Sequence, residues 1–151
     1  MVKIRTATIR DLASIYEIDH LTNPAPWSKE NLRQSLKQDL GFVYQSGAAP
    51  SAFLLCADRI DFNEILLIST HPAWRRQGQA QQLLEYFFSY HQKEQQQKIF
   101  LEVKKNNLAA IALYEKLGFN KESIRKNYYS DHSDALILSL IHISEPTRPL
   151  Y

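Results

Sequence analysis

The spacing of apolar residues over the first forty positions predicts one strand followed by two helices. Residues 3–8 have the alternating rhythm of a strand. Helical spacing begins behind the acidic residue Asp11 and is carried by Leu12, Ile15, Tyr16 and Asp19. Two prolines in the segment 23–27 end this helix, and Ser28 is a favourable N-cap for a second, shorter one. We expect the loop between the two helices to lie on the surface.

The remainder of the chain switches repeatedly between the strand period and the helix period. The predicted order is two strands at 42–58, a strand at 64–70, a helix with its apolar stripe at 83–88, a strand at 98–103, a helix at 106–119 and two strands at 123–141. This order predicts a single α/β domain with a mixed sheet of about six or seven strands and about four helices. The strand–helix–strand step between residues 65 and 103 predicts parallel strands joined by a right-handed crossover.

Composition excludes several classes of protein. Lys and Arg exceed Asp and Glu by 18 − 16 = 2, which is too small an excess for a protein that holds nucleic acid through phosphate contacts alone. The single cysteine, Cys56, lies in an apolar strand and is predicted to be a buried thiol. The five histidines have no ligand spacing, so no metal site is expected. Without an apolar leader or a membrane-spanning segment, the sequence predicts a cytoplasmic protein.

The turn at Arg75–Ala80, with the sequence RRQGQA, is the first candidate for chemistry. Gly78 allows a ligand to approach the backbone closely, and the helix behind the turn offers unpaired N–H groups with a positive dipole end. These features suit a pyrophosphate group. A solvated basic turn between a strand and a helix is the alternative, and the turn alone leaves the two about equal, because it lacks the further residues of a P-loop or a Rossmann turn.

Several segments together resemble the GNAT superfamily of N-acetyltransferases over nearly the whole chain. The turn matches the family signature R/Q-x-x-G-x-G/A, and LEVKKNNLAAIALYEKLGF at 101–119 is similar to the fourth conserved segment of the family. With PWS at 26–28 and IRKNYY at 124–129, the resemblance is closest to bacterial enzymes that acetylate the N-terminal alanine of ribosomal small-subunit protein S18. The resemblance implies a GNAT fold, acetyl-CoA as acyl donor and a ribosomal-protein N-terminus as acceptor.

The resemblance also implies roles for individual residues in binding acetyl-CoA. The pantetheine arm is expected to bind like an added strand along the backbone of Ile68, Ser69 and Thr70. The pyrophosphate is expected at the turn, at Arg75, Arg76, Gln77, Gly78, Gln79 and Ala80. Asn107 matches a further cofactor contact, and a plain helix cap is an equally good interpretation of it.

Two residues match the catalytic positions of the family. An α-amine is mostly protonated at neutral pH and must lose a proton before it attacks a thioester, and Glu102 matches the family's base. We expect it to be partly buried on the strand face that it shares with Phe100; an ordinary ion pair with Lys104 is the alternative. Tyr114 matches the general acid that protonates the departing thiolate. The alternative is that Tyr114 packs on the stripe of its helix with Ala110, Ile111 and Leu117.

The acceptor peptide is expected between the Pro26-Trp27 loop and the hairpin at 125–134. Trp27, Tyr128 and Tyr129 form its predicted walls, with Asp131 or Asp134 meeting basic residues further along the peptide; aromatic residues that cap a core edge are the alternative. Two other functions remain open. The protein could acetylate another amine, such as a lysine side chain or a small molecule, or it could be a non-catalytic module that binds acyl-CoA or contacts RNA. If the protein is an acetyltransferase, we expect the acetyl group to pass directly from acetyl-CoA to the amine in a ternary complex, without a covalent intermediate.

The chain departs from the family pattern in a few places. Ala80 replaces the second glycine of the signature, which the signature allows, while Thr70 and His71 stand where the family commonly has Val and Asp. The last ten residues, 142–151, have the sequence HISEPTRPLY and have no counterpart in the family. We therefore expect the acetyltransferase domain to cover 1–141 and the last ten residues to be a vector-derived or disordered tail.

Overall fold

The computed structural model describes residues 3–90 and 96–143, and its elements follow the predicted order. The strands are β1 (Ile4–Thr6), β2 (Leu40–Tyr44), β3 (Ala52–Asp58), β4 (Phe62–Thr70), β5 (Gln96–Lys104), β6 (Asn120–Arg125) and β7 (Ala135–Ile143). The helices are α1 (Leu12–Thr22), α2 (Lys29–Gln38), α3 (Gln79–Tyr90) and α4 (Leu108–Lys116). Seven strands and four α-helices within the described ranges confirm the predicted α/β class.

The sheet is mixed, and its hydrogen-bonded strand order is β1-β2-β3-β4-β5-β7-β6. The pairs β1–β2, β2–β3, β5–β7 and β6–β7 are antiparallel. By contrast, β4 and β5 are parallel, from Phe62 opposite Lys98 to Ile65 opposite Leu101. This pairing confirms the parallel neighbours predicted for the strand–helix–strand step.

The chain divides into two compact units, and β4 contributes residues to both. We call the first the N-terminal unit; it comprises the described residues up to Asp58 together with Leu66–Tyr90. The second, the C-terminal unit, comprises Arg59–Ile65 and the described residues after 95. In the part of the chain that the structure covers, no helix combines the length and apolarity needed to cross a bilayer.

The N-terminal unit buries apolar side chains on both faces of its strands. One cluster joins α1 and α2 to the sheet and consists of Leu12, Ile15, Ile18, Leu32, Val43, Phe53 and Leu55. The stripe of α3 is buried at Leu83, Leu84 and Phe87. Rings of α3 also contact the strand residue Phe42, with centroid distances of 5.1 Å to both Tyr86 and Tyr90. Cys56 of β3 is 1% exposed, which confirms the predicted buried thiol.

The C-terminal unit is organised around β5, whose side chains alternate as predicted. Ile99, Leu101 and Val103 are buried, and β7 pairs with β5 along its full length. Helix α4 ends at Lys116, and Gly118 follows it in a left-handed conformation with φ of 107°. A side chain there would be strained by the backbone and would meet Leu140 at 3.1 Å, so the glycine stop is required.

The predicted boundary at residue 141 lies inside β7, which continues to Ile143. The remaining part of the predicted tail, 144–151, is outside the described residues.

Candidate active site

The turn before α3 has two left-handed residues separated by one position. Arg76 has φ of 64° and Gly78 has φ of 75°. A Cβ added to Gly78 would meet only the end of the Gln82 side chain, at 3.8 Å. Glycine is therefore needed here for its backbone conformation, while the space beside it is open to a ligand.

The N-terminus of α3 supplies the donors that an anion requires. The first N–H groups of a helix have no partner within it, and α3 extends over twelve residues. Arg75, Arg76 and Gln77 are exposed. Over the described ranges, neither arginine forms an ion pair with a carboxylate. Backbone donors and unpaired cations thus occur together, and these residues fit a pyrophosphate group.

Gln79 and Ala80 differ from the rest of the turn. Gln79 is 4% exposed, and its side-chain oxygen accepts a hydrogen bond of 2.7 Å from the Ser51 hydroxyl. The Gln79 side chain therefore anchors the start of α3, which leaves its backbone N–H as the group available to a ligand. Ala80 is half-buried.

The C-terminal end of β4 leads directly into this turn. Ile68, Ser69 and Thr70 are all partly exposed. The hydroxyl groups of Ser69 and Thr22 are hydrogen-bonded at 3.0 Å, so α1 holds the Ser69 side chain. The next residue, His71, donates its backbone N–H to the carbonyl of Ser51 at 2.8 Å, and its ring accepts from the N–H of Ala73 at 3.1 Å.

Glu102 occupies the middle of β5 between two buried neighbours, Leu101 and Val103. Its own side chain is exposed, so the expected partial burial is wrong. The physical reason is tertiary: alternation turns Glu102 to the face opposite Leu101, and the segments packed on that face do not cover the carboxylate. The negative charge of Glu102 acts on the phenol of Tyr129, from the loop between β6 and β7, and helps to raise the pKa of that phenol.

Lys104 lies on the same face of β5 but pairs with another acid. Its amine is 2.6 Å from Asp131, and the alternative of a Glu102–Lys104 ion pair is therefore wrong. The same amine lies 5.5 Å from the centre of the Tyr129 ring. Hydrogen bonds from Lys104 and from the side chain and backbone of Ser133 lower the pKa of Asp131. We call Glu102, Lys104, Tyr129 and Asp131 the β5 polar cluster.

Tyr129 keeps its proton at all ordinary pH values. Burial raises the pKa of its phenol to about 12, with further contributions from the negative charge of Glu102, from Tyr128 and from the hydrogen bond to Glu102. Its neighbour Tyr128 is 48% exposed, and the two rings meet edge to face at 5.2 Å. Arg125 lies 5.5 Å from the centre of the Tyr128 ring.

Tyr114 is buried in α4. Only 7% of it is exposed, and its ring meets that of Phe119 edge to face at 5.9 Å. Burial raises the pKa of its phenol to about 12. The phenol is therefore neutral and carries a proton at physiological pH, which a general acid must do. The packing that sequence reasoning offered as an alternative is real, and it is compatible with that role.

Asn107 is the N-cap of α4, and its side chain accepts from the N–H of Ala110 at 3.2 Å. The cap interpretation is confirmed, while the cofactor contact stays a prediction. Trp27 is half-buried and packs against the core cluster of the N-terminal unit. The loop is therefore less exposed at Trp27 than predicted, because the indole covers the edge of that cluster.

The hairpin carboxylates already have partners within the C-terminal unit. Besides its ion pair with Lys104, Asp131 accepts from the hydroxyl of Ser133 at 2.6 Å. Asp134 accepts from the backbone N–H of Asn127 at 3.0 Å and lies 3.8 Å from the amine of Lys105. Sequence reasoning missed the two ion pairs with Lys104 and Lys105 because no local pattern connects residues so far apart in the chain.

Comparison with known proteins defines the class of this molecule. The model of the "Acetyltransferase (GNAT) family" matches residues 12–119, so the chain belongs to the GNAT family. A curated relative, the [Ribosomal protein bS18]-alanine N-acetyltransferase of Escherichia coli strain K12, is 33% identical over 144 residues, which cover 93% of this chain and 97% of the relative. These matches confirm the family predicted from the motifs and show that the protein is an N-acetyltransferase.

Solved structures give the same result. The ribosomal-protein-S18-alanine N-acetyltransferase from Escherichia coli superposes with a TM-score of 0.88 at 31% identity, and the match covers 100% of both chains. A chain of the NatC complex bound to Gag peptide and CoA has a TM-score of 0.82 at 27% identity, covering 92% of this chain and 98% of the other. The fold is thus that of the GNAT acetyltransferases.

Proposed function

We propose that this enzyme transfers the acetyl group of acetyl-CoA to the N-terminal alanine of ribosomal small-subunit protein S18. The observation that carries the proposal is the exposed carboxylate of Glu102 in the middle of β5, whose negative charge acts on the phenol of Tyr129. A base that faces solvent is accessible to the ammonium group of an incoming peptide. The similarity to the bS18-alanine enzymes supports alanine as the first residue of that peptide.

The turn and the end of β4 would hold the donor. Backbone N–H groups at Gly78 and the start of α3, with the cations of Arg75 and Arg76, would bind the pyrophosphate. The backbone of Ile68–Thr70 would pair with the pantetheine arm, and Asn107 would add a contact. When bound, acetyl-CoA supplies an acetyl group activated as a thioester and leaves as free coenzyme A.

Glu102 performs the first proton transfer in this proposal. An α-amine has a pKa near 8, so about a tenth of it is neutral at pH 7. Glu102 accepts a proton from the ammonium form, which allows the nitrogen lone pair to form the new C–N bond as the C–S bond breaks.

Tyr114 holds the second proton of the reaction at its phenolic oxygen. The phenol is neutral at physiological pH, so it has a proton to donate to the sulfur that leaves. After the C–N bond forms, the nitrogen loses its second surplus proton, which restores the phenol of Tyr114. Overall, an ammonium and a thioester become an amide, a thiol and one proton released from Glu102. Direct transfer also agrees with the burial of Cys56, since an acyl-enzyme would need an exposed thiol.

The decisive experiment combines acceptor peptides with a kinetic pattern. Hexapeptides that begin Ala-Arg, Gly-Arg and Ser-Arg are incubated with acetyl-CoA, and acetylation is read by mass spectrometry. We expect the alanine peptide to be acetylated fastest, and intersecting lines in two-substrate kinetics. Acetylation of an N-terminally blocked peptide at an internal lysine would contradict the proposed acceptor. Parallel lines would contradict direct transfer, because they indicate a covalent intermediate.

A further inference from the structure

The loop between α1 and α2, residues 23–27, is held by a buried carboxylate that the proposed chemistry does not use. Asp19 has 0% exposure. Its two oxygens accept from the side-chain amide of Asn23 at 3.0 Å and from the backbone N–H of Trp27 at 2.8 Å. A buried carboxylate is costly unless its oxygens are hydrogen-bonded, and both oxygens of Asp19 bond to the loop.

The loop has no other anchor for its backbone donors. Pro24 and Pro26 lack an N–H, so only residues 23, 25 and 27 can donate. The N–H of Asn23 bonds to the carbonyl of Asp19 at 2.8 Å. That of Ala25 bonds to the side chain of Asn23 at 2.9 Å, and that of Trp27 bonds to Asp19 directly. Each backbone N–H of the loop is thus hydrogen-bonded either to Asp19 or to the side chain of Asn23, which is itself hydrogen-bonded to Asp19.

The same turn of α1 also holds the proposed donor strand. Thr22, three residues after Asp19, hydrogen-bonds the hydroxyl of Ser69 near the end of β4. Its hydroxyl also lies 2.8 Å from the carbonyl of Ile18, which keeps the Thr22 side chain in one orientation. One helical turn within the N-terminal unit therefore connects the loop that carries Trp27 with the strand expected to bind pantetheine.

We propose that Asp19 is a positioning residue for the acceptor, which holds the loop 23–27 and the Trp27 side chain in the conformation that receives the peptide. The inference rests on the proposed function, because the family resemblance behind that function places the acceptor peptide beside Trp27. Asp19 does not contact the substrate itself. Its loss should weaken the use of the peptide while binding of acetyl-CoA is kept.

The test uses Asp19→Asn with Asp11→Asn as its matched control. An amide at position 19 presents one oxygen where two are used, and its N–H₂ group would face the donor of Asn23. We expect Asp19→Asn to raise the peptide KM about five- to thirtyfold, with kcat within about threefold and the acetyl-CoA Kd unchanged. Asp11, also buried, bonds Arg5 and the N–H of Thr8 at the other end of α1. Asp11→Asn should lower Tm without raising the peptide KM.

Two further measurements keep the result clear. Asn23→Ala removes one of the two bonds between the loop and Asp19, and also the bond that Ala25 donates to Asn23, at a partly exposed site. It should raise the peptide KM about threefold. In a Trp74→Phe background, Trp27 is the single tryptophan, and its quenching by iodide should increase in Asp19→Asn. Unchanged peptide KM and unchanged quenching in Asp19→Asn would overturn the inference. If the wild-type enzyme acetylates no alanine peptide, the proposed function fails, whereas the quenching comparison still tests the anchoring of the loop.

Discussion

The turn at Arg75–Ala80 and the β5 polar cluster both bring charged groups to the surface, but they differ in what those charges contact. The cations of the turn have no carboxylate partner among the described residues, and its glycine leaves open space. In the β5 polar cluster, Lys104 is paired with Asp131, and the charge of Glu102 helps to keep the neighbouring phenol of Tyr129 protonated. Unpaired charge suits the binding of an anion, while charge held by neighbours suits controlled proton transfer. Changes in the turn should therefore alter donor affinity, and changes at Glu102 should alter the rate.

Glu102→Gln should have the largest effect, because it removes the base and keeps the side-chain shape. We expect kcat/KM for the peptide to fall about 10²- to 10³-fold, with the acetyl-CoA Kd unchanged. The remaining rate should rise with pH towards the amine pKa near 8, as more acceptor becomes neutral. Initial rates from pH 6 to 9 measure the fall in activity and its pH dependence, and calorimetric titration measures the acetyl-CoA Kd.

Glu122→Gln is the matched control for this variant. Glu122 pairs with Lys98 at 3.6 Å and accepts from Ser139, so it loses the same charge within the same unit. Its kinetics should stay close to those of the wild type. Equal activity of Glu102→Gln and Glu122→Gln would remove Glu102 from the mechanism.

Tyr114→Phe should reduce kcat by about tenfold or more while the buried ring is kept. Tyr86→Phe, on the outer side of α3, is the control and should have wild-type kcat. Loss of activity in both variants would indicate a general effect on folding and not the loss of a proton donor.

The same phenol predicts how stability depends on pH. The folded-state pKa of Tyr114, about 12, lies above the ordinary value of 10.0. The folded state thus binds the proton more tightly, so this contribution is complete below pH 10 and is lost as pH rises from 10 towards 12. The raised pKa of Tyr129 makes stability depend on pH in the same direction. In denaturant titrations, Tyr114→Phe should therefore lose less stability than the wild type between pH 10 and 12.

Gly78→Ala tests the turn at Arg75–Ala80, where we expect an effect on the affinity for acetyl-CoA. A left-handed alanine costs roughly 1–2 kcal/mol, which should weaken acetyl-CoA binding about five- to thirtyfold if the turn changes shape to relieve it. The kcat at saturating donor should change little. Gly47→Ala is the control, since a Cβ there meets nothing within 4 Å. A large fall in kcat with unchanged Kd would contradict the separation between binding and rate.

Arg76→Gly should have the smallest effect. It should stabilise the fold slightly and weaken the binding of acetyl-CoA. Glycine accepts the φ of 64° without strain, so the free energy of unfolding should rise by at most about 1 kcal/mol. The loss of an exposed cation should weaken acetyl-CoA binding about threefold, and less at high salt. Thermal melts and titrations at two salt concentrations measure these changes. Tighter binding of acetyl-CoA would contradict a role for this charge.

Local sequence predicted the elements of this protein well because local signals determine them. The N-cap at Ser28, the cap at Asn107 and the stop at Gly118 each satisfy or end a helix through contacts within a few residues. The alternation in β5 likewise placed Glu102 on the face opposite Leu101. The roles assigned to Glu102, Tyr114 and the turn came from motifs and stay predictions that the experiments above test.

Contacts between distant residues were not predictable in the same way. The partner of Lys104 is twenty-seven residues away, and the pairing depends on the path of the β6–β7 loop. Asp19 carried one visible signal, an acid at a position that continues the apolar stripe of α1. That signal indicates burial, but it does not say which groups satisfy the carboxylate.

The sequence by itself determined the order of the elements, the family and the residues that match its motifs, because helix caps, strand alternation and motif spacing depend on neighbours along the chain. Only the tertiary structure decided that Glu102 is exposed, that Lys104 pairs with Asp131 and that Asp19 holds the loop 23–27. The physical reason is that burial and hydrogen bonding of a polar side chain depend on which segments pack around it. Those segments meet only when the sheet and helices have assembled.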